Sequence, residues 1–217
     1  MLSDANPLIQ KTYKPVPGWS LLLLPAACAL LAPLIVWILP NREMLTILGA
    51  FFVIGFLGVV VAIAPLGRVA FPALGLRAVN WKYLAFGPIA TLVLSVAVSQ
   101  LGIEPQGMKQ VIDFVPKQVV ASLLLLAVLA PIVEELVFRG LIYGWIAGRW
   151  GTMAGFIVSS LAFAAAHFEP AHIVLVLPLG LLFGWMRRRT DSLLPSLVSH
   201  ILNNGFALLA AVYLPGV

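Results

Sequence analysis

Charged side chains at helical spacing in an apolar segment form the first candidate site. Glu135 and Arg139 are four residues apart, so on a helix they share one face and can form an ion pair. Glu134 is rotated by about 100° from Glu135 and cannot use the same arginine equally well. Arg139 would then hold one carboxylate ionised, while the neighbouring carboxylate stays available for proton transfer. Alternatively, all three charges only stabilise the packing of a helix bundle.

A histidine in the next apolar segment lies at a matching depth. His167 follows Phe163 by four residues, so their side chains share one helix face. If the chain reverses at residues 148–151, Glu134 and His167 each lie about 20 Å from the turn, at about 1.5 Å per helical residue. A histidine near a helix end is often only a cap or an interfacial residue. The matching depth favours a role for His167 beside Glu134.

A histidine and an asparagine form a third pair near the end of the chain. His200 and Asn204 are four residues apart and lie on one helix face. Such side chains commonly join membrane helices by hydrogen bonds, but they can also donate to an oxyanion opposite a carboxylate. Asn203 is interpreted as a residue that joins helices or faces lipid headgroups. Glu169 and His172, in the preceding connection, are interpreted as solvated loop residues.

Together these side chains suit hydrolysis by an activated water molecule. A carboxylate helped by a histidine can take a proton from water, and histidine and asparagine donors can stabilise the tetrahedral oxyanion. Ser199 adjoins His200 but points to a different helix face, and no paired serine or cysteine nucleophile is evident. The zinc motif H-E-x-x-H and a cysteine cluster are also missing from the sequence. These residues therefore favour hydrolysis by an activated water molecule, without a standard zinc-protease motif.

The composition places these charges in a membrane. Of the 217 residues, 62% are hydrophobic and only 10% are charged, and the mean hydropathy is +1.07. Several apolar runs are long enough to cross a bilayer, which predicts an all-α, polytopic helical membrane protein. A charged residue at the centre of such a helix costs about 2.5–3.5 kcal/mol. The acidic residues are therefore expected to face a protein interior or a wet cavity, where intramembrane charges usually have a function.

We expect about seven transmembrane helices, with six or eight as alternatives, in a single integral membrane domain over residues 1–217. Residues 1–18 form a polar N-terminal arm, residues 19–118 contain spans 1–3, and residues 119–214 form the helical core that carries the candidate site. The predicted spans are residues 19–39, 44–64, 83–100, 119–148, 152–167, 172–186 and 193–214. No internal repeat and no soluble domain is evident.

Basic residues predict the orientation of the chain. The net charge of +5 lies in short loops, where it sets topology, so it does not indicate nucleic-acid binding. With the N-terminus inside, three basic residues fall in outer loops, namely Arg42, Lys109 and Lys117. Nine fall in cytoplasmic segments: Lys11, Lys14, Arg68, Arg77, Lys82, Arg149, Arg187, Arg188 and Arg189. This asymmetry favours an N-terminus inside and, for seven spans, a C-terminus outside.

The chain resembles the CAAX prenyl protease and bacteriocin-processing family of glutamic intramembrane proteases, also called the Abi family. Three motifs carry the resemblance, in the family's order and within about residues 119–210: Glu134-Glu135-x-x-x-Arg139, Phe163-x-x-x-His167 and His200-x-x-x-Asn204. The segment A-L-G-L-R at residues 73–77 resembles a common upstream feature of the family. Each motif is weak alone, but three in order on predicted helices form a strong signal.

The resemblance implies a membrane-embedded endopeptidase that hydrolyses a peptide bond in a membrane-associated protein or peptide. It implies that Glu134 activates the water with help from His167, that His200 and Asn204 stabilise the oxyanion, and that Glu135, Arg139 and Phe163 order the site. It implies no metal or other cofactor and a lipid bilayer around the protein. It also favours a prokaryotic member in the inner membrane that acts on peptides other than prenylated ones.

Two other classes of function remain open at this point. A non-proteolytic immunity or scaffold protein of the same fold would bind a partner, although a pure binder has no chemical need for Glu134. A proton-coupled transporter would also use buried charges, but it predicts inverted repeats that the sequence lacks. The sequence leaves undetermined the substrate, the leaflet toward which the site opens, and the oligomeric state.

Overall fold

The computed structural model describes residues 18–19, 31, 34, 37–38, 44–107, 109–110 and 115–214. Within these residues the chain is helical and contains no strand, as predicted. Five helical stretches of the described chain are long and apolar enough to cross a membrane. Predicted span 1 lies mostly outside the described residues, so the count of seven stays a prediction. The protein is a polytopic helical membrane protein.

The N-terminal half of the described chain contains one long helix, a short helix and a second long helix. Helix α1 covers Met44–Ile63, and the 3-10 turn Ala64–Val69 connects it to the short helix α2, Ala70–Leu74. Gly75 ends α2 in the left-handed conformation (φ 85°). Helix α3 covers Trp81–Ser99 and begins after Asn80, whose side chain accepts a hydrogen bond from a backbone N–H of its first turn. The predicted spans 2 and 3 are therefore present.

The stretch α4, Val119–Ala165, contains two antiparallel arms. Gly151 has non-helical dihedral angles (φ 85°, ψ 164°) that a residue with a side chain rarely adopts. A Cβ built on Gly155 would lie 2.9 Å from Cβ of Ala147 and 3.1 Å from the carbonyl oxygen of Tyr143, so the arms pack closely beside the turn. We call residues 119–150 the first arm and residues 152–165 the second arm. The predicted reversal at residues 148–151 is therefore present.

The first arm contains two wide, π-helical segments that the apolar periodicity did not predict. They cover Leu123–Leu129 and Leu136–Ile142, and the α-helical turn Ala130–Glu135 lies between them. Such π-helical segments commonly occur at functional sites, because the wider turn changes the direction of side chains and backbone groups. Glu134 and Glu135 stand directly before the second segment, and Arg139 lies within it.

The last two helices form a hairpin. Helix α5, Pro170–Thr190, begins with a proline at its first position, and helix α6 covers Leu194–Tyr213. Two sequence interpretations are wrong here. His172 lies in the first turn of α5 and is partly buried, so it is not a solvated loop residue. Arg187 lies inside α5 and is completely buried, so it does not serve as a solvated topology charge.

The helices pack around the first arm of α4. Helix α5 packs against the second arm, and α6 packs against α3 and the first arm. An apolar core joins α1, α2, the first arm and the start of α6 through Val59, Ala62, Leu74, Val133, Val137, Leu141 and Leu193. Many large apolar side chains point outward, including Phe71, Trp81 and Ile89, as expected for a surface that faces lipid.

Candidate active site

A fully buried ion pair on the first arm lies at the centre of the site. Nη1 of Arg139 lies 3.1 Å from Oε1 of Glu135, and neither side chain is exposed. Nη2 of Arg139 donates to the carbonyl oxygen of Gly180 at 3.0 Å, and the guanidinium lies 4.4 Å from the ring centroid of Phe163. The pairing expected from the four-residue spacing is therefore present, and it links the first arm to the second arm and to α5.

The carboxylate of Glu135 has contacts on both oxygens. Oγ of Ser196 donates to Oε2 at 2.6 Å, and Nδ1 of His200 lies 3.3 Å from Oε1. Together with Arg139, these contacts hold the group behind the wall of the site. A carboxylate held in this way orients its neighbours and is poorly placed to accept a proton from a substrate water.

Glu134 occupies a different environment from its neighbour. Its side chain is 22% exposed, and it lines a cavity that Glu135 does not line. Oε2 of Glu134 lies 3.6 Å from Nε2 of His200, so one imidazole ring lies between the two carboxylates. The rotation of about 100° between adjacent helical residues separates the two acids as the sequence indicated.

His167 lines the same cavity, and its backbone contact identifies its tautomer. Nδ1 of His167 lies 3.0 Å from the carbonyl oxygen of Phe163. Because a carbonyl oxygen can only accept, Nδ1 carries the hydrogen, and Nε2 of the neutral ring keeps a lone pair. In the described structure His167 has no carboxylate within ion-pair distance, so it lines the same cavity as Glu134 without pairing with it.

Two phenylalanine rings fix the orientation of the imidazoles. The buried ring of Phe163 meets those of His167 and His200 edge-on, at centroid distances of 5.1 Å and 5.7 Å. Phe183 stacks on His200 at 4.9 Å. His172 meets His167 edge-on at 4.5 Å. Phe163 thus contacts Arg139 and both predicted site histidines, which makes it the packing centre of the site.

Asn204 and Asn203 both line the cavity but differ in their contacts. Nδ2 of Asn204 donates to the carbonyl oxygen of Leu126, in the first π-helical segment, at 3.1 Å. An amide nitrogen carries two hydrogens, so Asn204 retains one for a ligand. The amide of Asn203 has no hydrogen-bond partner among the described residues, so the first of its two predicted roles, joining helices, is not observed there, and the second, facing lipid headgroups, stays a prediction.

The cavity has a volume of about 1050 Å³ and a mostly apolar lining. Five of the seven predicted site residues line it, whereas Glu135 and Arg139 lie behind its wall. The side chains with polar atoms are Ser95, Ser99, Glu134, His167, His172, His200, Asn203 and Asn204. The remainder of the lining comes mainly from apolar residues of α1, α3, α4, α5 and α6.

Some residues of the site could not be recognised from the motifs. Ser196 lies four residues before His200, and this helical spacing was an available signal. Phe183 and the carbonyl group of Gly180 lie in an apolar helix with no local signal. In the described part of the chain, no three His, Cys, Asp or Glu side chains are grouped as metal ligands would be. Metal independence itself stays a prediction.

Comparisons with known proteins agree with the resemblance that the motifs indicated. Residues 116–206 match the family described as type II CAAX prenyl endopeptidase Rce1-like. The chain is 26% identical over 104 residues to the putative membrane peptidase YdiL of Bacillus subtilis, covering 48% of this chain and 41% of that protein. It is 27% identical over 143 residues to the membrane-embedded CAAX protease MroQ of Staphylococcus aureus, covering 60% of this chain and 57% of that protein.

The chain therefore spans about half the length of these two relatives. No solved structure matches it. The family match covers both arms of α4, helix α5 and most of α6, which are the elements that carry the three motifs. The resemblance to the CAAX prenyl protease family is thereby confirmed over the part of the chain that forms the candidate site.

Proposed function

We propose that this chain, a membrane protein with a CAAX prenyl endopeptidase-like core, is a membrane-embedded glutamic endopeptidase. Its substrate is a membrane-associated protein or peptide, and its nucleophile is a water molecule activated by Glu134. One observation carries the proposal. Glu134 lines the cavity, whereas the adjacent Glu135 is buried against Arg139, Ser196 and His200. The names of the two relatives, a peptidase and a protease, agree with this reaction class.

The positions of these groups support the following proposed steps. Glu134 takes a proton from water while the water oxygen bonds to the carbonyl carbon of the scissile peptide. The resulting tetrahedral oxyanion needs preorganised donors. Asn204 has a second amide hydrogen, and His200, whose Nδ1 faces Glu135, offers Nε2–H when its ring is protonated. The carbon–nitrogen bond then breaks, and protonated Glu134 gives its proton to the leaving amine.

His167 acts on the water in this proposal. Its Nδ1–H is occupied by the carbonyl oxygen of Phe163, so the lone pair on Nε2 can accept a hydrogen bond from the water. A water held between Glu134 and His167 would donate to both, and its own lone pair would face the substrate carbonyl. This orientation converts a bimolecular encounter into a positioned attack.

The lining of the cavity supports an apolar substrate segment. Its volume of about 1050 Å³ exceeds the room needed for one side chain, and its wall is mostly apolar. Apolar residues of a membrane-associated peptide would lose contact with water on entering it, which favours binding. An attached prenyl group would fit the same lining, so paired peptides with and without the group distinguish the two substrate classes.

A cleavage assay tests the proposal. The protein is purified in detergent and incubated with a panel of short, internally quenched apolar peptides. We expect wild-type turnover and its loss in Glu134→Gln, with the variant as well folded as the wild type. The matched control is Glu169→Gln, whose carboxylate accepts backbone hydrogen bonds of Gln106 and Gly107 away from Glu134. Turnover retained by Glu134→Gln removes this residue as the base. If the wild type cleaves no peptide and His167→Ala leaves the cellular phenotype unchanged, the results favour a non-proteolytic immunity or scaffold protein.

A further inference from the structure

The segment A-L-G-L-R, residues 73–77, has no role in the proposed reaction, yet it packs against the first arm beside the Glu135–Arg139 ion pair. Leu74 is buried at the end of α2 and lies against Gly140, the residue that follows Arg139. A Cβ on Gly140 would lie 2.8 Å from Cδ2 of Leu74 and 3.5 Å from its carbonyl oxygen. The absence of a side chain at Gly140 therefore permits this close contact.

Gly75 makes room for an arginine from the other end of the chain. Its φ of 85° lies in the left-handed region, and a Cβ there would lie 2.6 Å from the guanidinium carbon of Arg187. Arg187 is completely buried, although it begins a run of three arginines whose other members, Arg188 and Arg189, are exposed. A guanidinium group removed from water needs a carboxylate and hydrogen-bond acceptors to compensate for desolvation.

The contacts of Arg187 reach the backbone of the first arm. Its Nε donates to the carbonyl oxygen of Arg139 at 3.0 Å, and its guanidinium lies 4.6 Å from the ring centroid of Tyr143. Nη1 of the same group pairs with Oδ1 of Asp191 at 2.9 Å. Arg187 thus holds the main chain of the residue whose side chain holds Glu135.

Asp191 connects Arg187 to the A-L-G-L-R segment. Its second oxygen, Oδ2, pairs with Nη1 of Arg77 at 2.6 Å. Oγ of Ser192 donates to the carbonyl oxygen of Arg77 at 2.7 Å. The backbone N–H of Leu193 donates to the carbonyl oxygen of Gly75 at 2.9 Å. The α5–α6 connection and the A-L-G-L-R segment therefore form one hydrogen-bonded unit around the buried guanidinium.

We propose that Leu74, Gly75, Arg77, Arg187 and Asp191 form a clamp that positions Arg139. The clamp holds Arg139 and Gly140 from outside the cavity, and the side chain of Arg139 extends from this fixed backbone to Glu135. Arg187 is a positioning residue, because it acts through Arg139. The inference rests on the proposed endopeptidase function. A misplacement of about 1 Å in a catalytic group can reduce a rate about 100-fold, so loss of the clamp should lower kcat.

The test compares two adjacent arginines. Arg187→Lys keeps the charge beside Asp191 but loses the rigid fork that also reaches the carbonyl oxygen of Arg139. With an internally quenched apolar peptide that the wild type cleaves, we expect kcat to fall about tenfold and KM to stay within about twofold. Arg187→Met should lose more, whereas the control Arg188→Lys should match the wild type. Thermal melting and size exclusion measure the folded fraction of each variant.

A second measurement does not depend on turnover. We expect Arg187→Lys and Asp191→Asn to increase hydrogen exchange in the peptide that covers residues 136–142, while Arg188→Lys leaves it unchanged. Asp191→Asn also replaces Arg187→Met if the latter does not fold. A wild-type kcat in folded Arg187→Lys, or a loss that only equals the unfolded fraction, overturns the clamp. A wild type without turnover contradicts the proposed function but leaves the exchange measurement available. If Arg187→Lys and Asp191→Asn then exchange at residues 136–142 as the wild type does, the clamp is contradicted as well.

Discussion

Nε2 of His200 lies 3.6 Å from Oε2 of Glu134, and this histidine, not His167, is the nearer one to the proposed base. The other ring nitrogen of His200 faces Glu135 at 3.3 Å. The imidazole of His200 therefore lies within reach of both carboxylates. The arrangement places a potential donor beside the base, while His167 lines the same cavity without pairing with Glu134 and can hold the water.

The two adjacent glutamates should respond oppositely to the same substitution. Glu134→Gln is expected to lower kcat by about 10²–10⁴, the usual contribution of a general base, with little change in stability. Glu135→Gln leaves buried Arg139 without a counter-charge and should destabilise the fold by about 3–5 kcal/mol. Parallel turnover and thermal unfolding in detergent measure both effects. A stable, inactive Glu135→Gln beside an active Glu134→Gln would reverse the assignment.

Asn204 and Asn203 separate an oxyanion donor from a residue that only lines the cavity. If Asn204 donates to the oxyanion, Asn204→Ala should lower kcat by about 10²–10³ with a smaller change in KM. Asn203→Ala removes an amide of the same size and should reduce kcat much less. The measurement is steady-state turnover of one quenched peptide by the three proteins. Equal losses in both variants would assign Asn204 to packing through Leu126.

Ser196 should contribute to stability through Glu135. Its hydroxyl donates to a buried carboxylate at 2.6 Å, and a hydrogen bond to a charged group contributes about 1.5–3 kcal/mol. We expect Ser196→Ala to lower the free energy of unfolding by that amount. Ser199→Ala is the matched control, because buried Ser199 donates to the carbonyl oxygen of Pro195 and not to a charge. Ser199→Ala should lower the free energy of unfolding by about 0.5–1.5 kcal/mol. An equal decrease in the two variants would refute a special role for Ser196.

Metal independence predicts that chelators have little effect. Treatment of the purified protein with a strong chelator should leave kcat within about twofold of the untreated value, because a carboxylate base needs no Lewis acid. The same protein after addition of zinc serves as the control. A reproducible loss of turnover that zinc restores would identify a metallopeptidase.

The predicted topology can be tested with reporter fusions. Contacts group the loops into two sets, since Arg77 meets Asp191 and the backbone of Gln106 meets Glu169. With the N-terminus inside, the loops of the first set are cytoplasmic and those of the second set are outside. Of the nine basic residues assigned to cytoplasmic segments, eight remain when buried Arg187 is left out. A reporter active only outside the cytoplasm should work after Leu214 and fail at Arg149. The reverse result would invert the orientation.

Much of the fold was accessible from local patterns. Apolar runs located α1, α3 and the α5–α6 hairpin, and the glycines at residues 148 and 151 located the reversal between the arms of α4. The pairing of Glu135 with Arg139 also followed from spacing, because residues four apart share a helix face in any helix. The π-helical segments did not follow, since they depend on how the first arm packs and not on its composition.

By itself the sequence determined a helical membrane protein and the helix face on which each motif residue lies, because hydropathy and the helical repeat act within a single segment. The tertiary structure decided how those faces are turned toward one another. It set Glu134 toward the cavity and Glu135 away from it, brought His200 rather than His167 beside Glu134, and buried Arg187 against the backbone of Arg139. These relationships depend on the rotation and close approach of helices distant in the chain, which no local pattern specifies.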